Sequence, residues 1–391
     1  MSFLPYGRQS IDQSDIDAVT AALTSDFLTT GPLVERFERE LAQTVGAQEA
    51  VVVANGTAAL HLAVLSEDLG PKDVVVVPAI TFAASANCVA YCGAQVLFAD
   101  VDPLTGLITD DSFNNALSLI ARDYPDHRFA GVIPVHYAGR VIDLTHIAEV
   151  AGTHGAFVVE DACHALGSVG AQGPVGSCKI SDMACFSFHP VKTLTTGEGG
   201  AILLNDPERA RRLRRLRSHG IERDPAQFTG DERGAWVYEM QELGYNYRLP
   251  DLNCALGLSQ LARLPHFIAR RKALVGAYRK ALAASNLPAR WAAPDHDPVF
   301  HLFAVSIDFA ALGLTREAVM AGLRERGIGT QVHYIPVPDM PYWRRHALGQ
   351  RRLPGAAAFY ASTLSLPLYP DMSDDDPARV IAALTEVLHG A

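Results

Sequence analysis

Apolar residues change their spacing twice along this chain, and the changes divide it. Between Ser10 and Leu23 the apolar positions Ile16, Val19 and Leu23 recur at helical spacing behind the capping-type residues Ser10 and Asp12, which predicts an amphipathic helix. The turn Leu28-Thr29-Thr30-Gly31-Pro32 feeds a second helix, with Leu33, Phe37, Leu41 and Val45 on one face and Gly46 as its stop. Both helices are expected outside the main domain, leaving Tyr6 and the 28–30 loop free to reach a cleft.

From residue 50 the pattern becomes short continuous apolar runs at 50–54, 74–77, 95–99, 130–135, 156–159, 183–188 and 201–204, most of them separated by helical patterns. Runs that are apolar on both faces predict strands covered from both sides, so a mostly parallel sheet flanked by helices is the expected class. Ligands of such sheets bind at the carboxyl ends of the strands. Near Pro250 the pattern shifts again, to a helical stretch from Leu252 to Ala284 and a break at Pro288, Pro294 and Pro298. A strand-like Phe300–Ile307, a helix Arg316–Arg326 stopped by Gly327 and a strand-like Thr330–Tyr334 follow. The chain is thus expected to be α/β in two parts: N-terminal helices and a large domain over residues 1–250, and a smaller C-terminal α/β domain over 251–391.

Composition narrows the function. With 49% hydrophobic and 19% charged residues among 391, the chain can bury substantial cores and is not of the disordered class. A net charge of -10 argues against a nucleic-acid or anionic-membrane surface as its main business. The six cysteines form no C-x-x-C pair and are expected reduced and mostly buried; Cys88 and Cys92, four apart, suit core packing better than a redox or metal site. No apolar run is long enough to span a bilayer, and Met1-Ser2-Phe3-Leu4-Pro5 lacks a basic region followed by an apolar stretch, so a soluble cytoplasmic protein is expected.

Candidate chemistry gathers at three strand ends. Ser187-Phe188-His189-Pro190-Val191-Lys192, closed by Gly197-Glu198-Gly199-Gly200, holds a lysine between two apolar segments, where it can lose its proton and act as an amine nucleophile. A solvated surface-loop lysine would be the ordinary reading of this segment taken alone. Asn55-Gly56-Thr57 opens a helix after the first sheet strand and offers free N–H groups to an anion, although a plain N-cap would look the same. Glu160 and Asp161 end another strand; neighbouring residues face opposite ways, so only one lines the cleft, where it would need a buried cation such as a protonated pyridine nitrogen. A metal site from Asp161, His164 and His189 lacks the usual ligand spacings.

The motifs N-G-T-A-A-L, T-F-A-A-S-A-N, E-D-A-C-H-A-L-G, S-F-H-P-V-K, G-E-G-G-A, R-S-H-G-I, G-Y-N-Y-R-L and A-L-G-L-S-Q-L, in this order, resemble the DegT/DnrJ/EryC1/StrS sugar aminotransferases from about Tyr6 to the C-terminus. The resemblance implies the pyridoxal-phosphate transferase fold (fold type I) and pyridoxal 5'-phosphate as cofactor, with pyridoxamine 5'-phosphate in the half-reaction. It implies Lys192 as the Schiff-base lysine and acid/base, Asp161 as the carboxylate on the pyridine nitrogen, Phe82 as the aromatic over the ring and His164 as a polar neighbour of the cofactor. Gly56, Thr57 and Ser187 would form the phosphate cup, completed by Asn246 from the second subunit of a homodimer. Some relatives carry histidine at the lysine position and act as dehydratases; Lys192 favours amino transfer, with glutamate as donor, over a lyase or dehydratase.

Within the family the chain is most similar to the branch that makes pseudaminic-acid precursors, through Tyr6, Gln9, Ile11-Asp12, the 28–31 turn, S-F-H-P-V-K and Gly327-Ile328-Gly329-Thr330-Gln331-Val332-His333-Tyr334. This similarity implies that Tyr6, Asp26, Phe27, Leu28, Thr29, Gln331, Val332, His333 and Tyr334 line a nucleotide-sugar pocket. The implied substrate is a UDP-linked 2-acetamido-2,6-dideoxy-4-keto-hexose; perosamine-type enzymes acting on GDP- or dTDP-linked 4-keto sugars are the alternative. An insertion-like segment spans Asp224–Val237, and the arginines at 209, 211, 212, 214, 215 and 217 crowd one helix, mostly as an expected solvated face, with Arg217 the candidate to reach the cleft.

Overall fold

The computed structural model describes residues 3–231, 234–294, 296–349 and 352–389; Met1, Ser2 and, within the 224–237 segment, Glu232 and Arg233 lie outside them. The seven apolar runs form one sheet: β1 (Glu49–Val53), β2 (Asp73–Pro78), β3 (Gln95–Ala99), β4 (Arg128–Val132), β5 (Phe157–Asp161), β6 (Met183–Ser187) and β7 (Gly200–Leu204). Their spatial order is β1-β7-β6-β5-β4-β2-β3, parallel except for β7, which is antiparallel to both neighbours. The continuous hydrophobicity has a simple cause. In β1, Val51 and Val53 pack into one core while Ala50 and Val52 pack into another, and in β2 Val75 and Val77 part from Val74 and Val76 in the same way. Each alternate residue serves a different side of the sheet.

Helices α1 (Gln13–Leu23) and α2 (Pro32–Val45) begin and end as their sequences predict: the Asp12 side chain caps α1, and Gly46 closes α2 in the left-handed conformation at φ 78°. The sheet is flanked by α3 (Gly56–Leu65), α4 (Ala84–Tyr91), α5 (Asp110–Asp123), α6 (Thr145–His154) and α7 (Pro207–Leu216). The long α8 (Asp251–Ala284) changes partners near its internal Pro265: Leu258, Leu261 and Leu264 belong to the core below the large sheet, whereas Leu274, Val275 and Tyr278 belong to a second core. Gly257 permits the first contact, because a Cβ there would stand 2.6 Å from the Phe37 ring. The second core joins α9 (Arg316–Glu325) and α10 (Asp376–His389) to a three-stranded antiparallel sheet of β8 (Ala289–Arg290), β9 (Phe303–Ile307) and β10 (Thr363–Leu366). Leu4 also enters it, donating its amide to the Gly327 carbonyl at 2.8 Å, so the chain start crosses between the two cores. Among the described residues no helix is long and apolar enough to cross a membrane.

Two expectations need correction. Thr330–Tyr334 is not a strand; only Gln331 makes a bridge, to Ser365 of β10. The unforeseen strand Thr363–Leu366 pairs with β9, while beyond Gln331 the chain turns inward, where Tyr137 donates to the His333 carbonyl at 2.8 Å and the His333 ring meets the Ser365 hydroxyl at 2.9 Å. The arginines of and just after α7 are likewise not a solvated face. Arg209 pairs with Glu67 at 2.8 Å, Arg212 with Asp68 at 2.6 Å and Glu242 at 2.7 Å, and Arg214 with Glu49 at 2.8 Å. Arg217 reaches Glu38 at 2.5 Å and the Val52 carbonyl at 2.6 Å instead of the cleft. These carboxylates come from segments far away in sequence, so the pairing is invisible in α7 itself.

Glu38 is the centre of this lattice: it is buried, bonds two arginines and accepts the Val52 amide at 3.0 Å. Removing one member leaves buried charges unpaired. Glu38→Ala is expected to lower unfolding stability by about 3–5 kcal/mol, read from chemical denaturation. Glu208→Ala, which frees only the exposed pair with Arg211, is expected to change it by less than about 0.5 kcal/mol.

Candidate active site

Strands β1, β5 and β6 run in one direction, and their carboxyl ends open into a cavity of about 440 Å³. The large sheet contributes Gly56, Thr57, Phe82, Asp161, His164, Ser187 and Lys192 to its walls. Tyr6, His301, His333 and Tyr334 close it from the side of the second core. Ten of the residues predicted from sequence therefore meet in one place.

One end of the cavity is built for an anion. The Asn55 side chain accepts the Ala58 amide at 2.8 Å, and Gly56 and Thr57, ahead of the first intrahelical bonds of α3, line the cavity. Their amides and the helix dipole favour negative charge, and the Thr57 and Ser187 hydroxyls add donors. The closeness depends on glycine: a Cβ on Gly56 would stand 2.8 Å from the Ser187 Cβ, and one on Gly200 would stand 2.5 Å from the Asn55 carbonyl oxygen.

The other end carries a carboxylate and an amine. Period-two alternation at the end of β5 turns Glu160 away, to His136 Nε2 at 2.7 Å and to the Ser181 hydroxyl. Asp161 faces the cavity. Its Oδ2 accepts the Ser85 hydroxyl at 2.6 Å and its Oδ1 the Cys163 amide at 3.2 Å, and only 5% of it is exposed. Lys192 shares the cavity. Burial pushes its ammonium below the ordinary lysine range, while Cys163 and Asp161 act in the opposite direction. Its loop is pinned by Lys192 N–H to the His189 carbonyl at 2.8 Å, by the Thr195 hydroxyl to the Phe188 carbonyl at 3.2 Å and by the Asn253 amide group to the Thr196 carbonyl at 2.7 Å.

An anion cradle, an amine nucleophile and a buried carboxylate together suit a phosphorylated pyridine aldehyde. Gly56, Thr57 and Ser187 would hold its phosphate, Asp161 its ring nitrogen and Lys192 its aldehyde carbon. Phe82 is 59% exposed yet lines this cavity, as a side chain that covers a flat ring would.

The remaining predicted residues lie elsewhere in this chain. Asn246 is exposed and bridges Ser218, and Phe27 and Leu28 are about half exposed, beside Asp26 on the same exposed loop. Thr29 lines a separate cavity with Ser218, Arg223 and Arg248. Gln331 sits on the edge of the small sheet, and neither it nor Val332 reaches the 440 Å³ cavity. Two contributors were missed. Ser85, which bonds both Asp161 and the Thr81 hydroxyl at 2.6 Å, lies inside T-F-A-A-S-A-N, one helical turn after Thr81. His301 had no local signal; only the packing of the two cores brings it to the cavity.

The profile of the DegT/DnrJ/EryC1/StrS aminotransferase family matches residues 9–385. The spore coat polysaccharide biosynthesis protein SpsC of Bacillus subtilis (strain 168) is 39% identical over 394 aligned positions, covering 100% of this chain and 98% of that protein. The sugar aminotransferase Spr1654 of Streptococcus pneumoniae, described as putative and solved in its PMP form, superposes with a TM-score of 0.89 at 28% identity over 99% of both chains. A PLP form of the same protein gives a TM-score of 0.87. Helicobacter pylori PseC, an aminotransferase involved in the biosynthesis of pseudoaminic acid, shares the fold at 24% identity and a TM-score of 0.87, over 100% of both chains. The mostly parallel sheet with its smaller companion is the fold-type I architecture of these enzymes. The chain belongs to the DegT/DnrJ/EryC1/StrS aminotransferase family, whose members are pyridoxal-phosphate-dependent sugar aminotransferases.

Proposed function

We propose that this enzyme transfers the amino group of glutamate to C4 of a UDP-linked 2-acetamido-2,6-dideoxy-4-keto-hexose of β-L-arabino configuration. The product would be UDP-4-amino-4,6-dideoxy-N-acetyl-β-L-altrosamine, a precursor of pseudaminic acid made in the cytoplasm. The observation that carries amino transfer is the meeting of Lys192, Asp161 and the Gly56–Thr57–Ser187 cradle in one cavity. Pyridoxal phosphate, when bound, takes the amino group from the donor and passes it to the ketone, its protonated ring nitrogen drawing off electrons. Asp161 would keep that proton in place, because a buried carboxylate favours the charged form of a cation held against it. Lys192, whose ammonium burial holds below the ordinary lysine range, is the group that would move the proton between donor or acceptor carbon and cofactor. The sugar assignment is supported by the run Gly327–Tyr334 and by Tyr6, which bring Tyr6, His333 and Tyr334 to the cavity.

A homodimer with shared sites accounts for the residues left outside. Trp236, Tyr238, Met240 and Leu243 are 76%, 54%, 63% and 78% exposed, an apolar row just before Asn246 that a second copy would cover. Asn246 would then complete the partner's phosphate cup, and residues 26–29 would border the partner's sugar pocket.

Lys192→Ala is expected to abolish the visible absorbance of lysine-bound cofactor. Asp161→Asn is expected to keep some cofactor but slow turnover at least about 100-fold, since it removes charge stabilisation at the ring nitrogen. Mixing inactive Lys192→Ala with inactive Asn246→Ala subunits and refolding them together is expected to restore about a quarter of wild-type activity, because half the dimers then hold one intact site; a mixture that stays inactive counts against shared sites. A panel of UDP-, GDP- and dTDP-linked 4-keto sugars with glutamate, read by NMR of the product, is expected to give an amino sugar from the UDP substrate alone.

A further inference from the structure

Hydrogen-bond accounting at the back of the cavity singles out Tyr334. The Ala138 amide donates to His164 Nδ1 at 3.2 Å, so that nitrogen is an acceptor and carries no proton. Burial, together with the charges of Lys192 and His333, holds His164 well below the usual histidine range, so the ring is neutral and its single proton sits on Nε2. Nε2 lies 3.1 Å from the Tyr334 hydroxyl, which must therefore accept this bond. The two rings lie nearly parallel, at 24°. The backbone behind them is closely packed: a Cβ on Gly139 would stand 3.0 Å from the His164 carbonyl oxygen and 2.2 Å from that of Val299. Burial raises the Tyr334 hydroxyl pKa well above the phenol range, so its proton stays on oxygen. With its acceptor role filled by His164, this O–H is left to donate, and Tyr334 lines the cavity that also holds Lys192. The neighbouring Tyr137 is different, since its hydroxyl is already spent on the His333 carbonyl.

From this arrangement we infer that Tyr334 is the fixed hydrogen-bond donor to the keto oxygen of the sugar, oriented by His164 and the Ala138 amide. The inference rests on the amino-transfer reading with a ketone acceptor. In that step the acceptor's C=O bond breaks and a C–N bond forms, and the oxygen leaves as water carrying the two hydrogens of the incoming amine. Negative charge builds on that oxygen before it leaves, and a preorganised donor in a dry site stabilises it. Tyr334 keeps its own proton throughout, because replacing it would take the single proton of the neutral His164 ring and leave a buried anion there.

The test separates the two half-reactions of the holoenzyme. Tyr334→Phe keeps the ring and is expected to leave the visible cofactor absorbance and the glutamate-driven half-reaction unchanged while slowing the keto-sugar half-reaction about 100-fold in single turnover. Equal slowing of both halves, an altered or lost cofactor absorbance, or an unchanged acceptor half-reaction overturns the assignment. Wild-type protein that shows no lysine-bound cofactor absorbance at all overturns the amino-transfer reading itself, a result distinguishable from any of these.

Discussion

The buried carboxylate of Asp161 sets the terms for the site around it. An ionised group taken from water costs several kcal/mol unless partners replace the water, and here the chain supplies only a hydroxyl and an amide, from Ser85 and Cys163. The favourable charge around it comes from Lys192 in the same cavity and, when the cofactor is bound, from a protonated ring nitrogen. The other parts of the site can be understood as arranging for that cation to arrive in one orientation. The α3 terminus offers free amides to an anion, and Phe82 and Lys192 line the same cavity.

Small residues make this arrangement compact. Gly56 against Ser187 and Gly200 against Asn55 bring three chain segments closer than any Cβ would permit. A phosphate can then meet backbone amides and hydroxyls from two strands at once. The same economy holds between the cores, where Gly257 lets α8 approach Phe37 and so ties the helix that bridges both sheets to the layer beneath the cofactor cavity.

Charge is handled differently away from the cavity. Glu38, Glu67 and Glu242 collect the arginines of α7 and Arg217, so a helix that looks solvated in sequence is bound into a lattice on the outer face of the sheet. Near the cavity the polar groups are instead neutral and buried: His333 is held down to about 3 by burial, and His164 and His301 are pushed in the same direction. The acidic and basic side chains of the cavity lining are Asp161, Lys192 and Glu198.

The seven strands and their flanking helices were legible in the chain because each apolar run must fill two cores at once, a demand that local composition records. Lys192, Asp161, Gly56, Thr57 and Ser187 were legible as candidates because each stands at a strand end beside its motif. What the residues around them do was decided by packing. Arg217 was drawn to Glu38, residues 330–334 turned inward as the strand 363–366 took the place beside β9, and His301 arrived from the second core without any local mark. The sequence by itself determined the elements and the chemistry at their ends, since both follow from neighbouring residues. That Arg217 meets Glu38 and that His164 meets Tyr334 only the tertiary structure decided, because those contacts join residues 179 and 170 positions apart, whose approach no local pattern encodes.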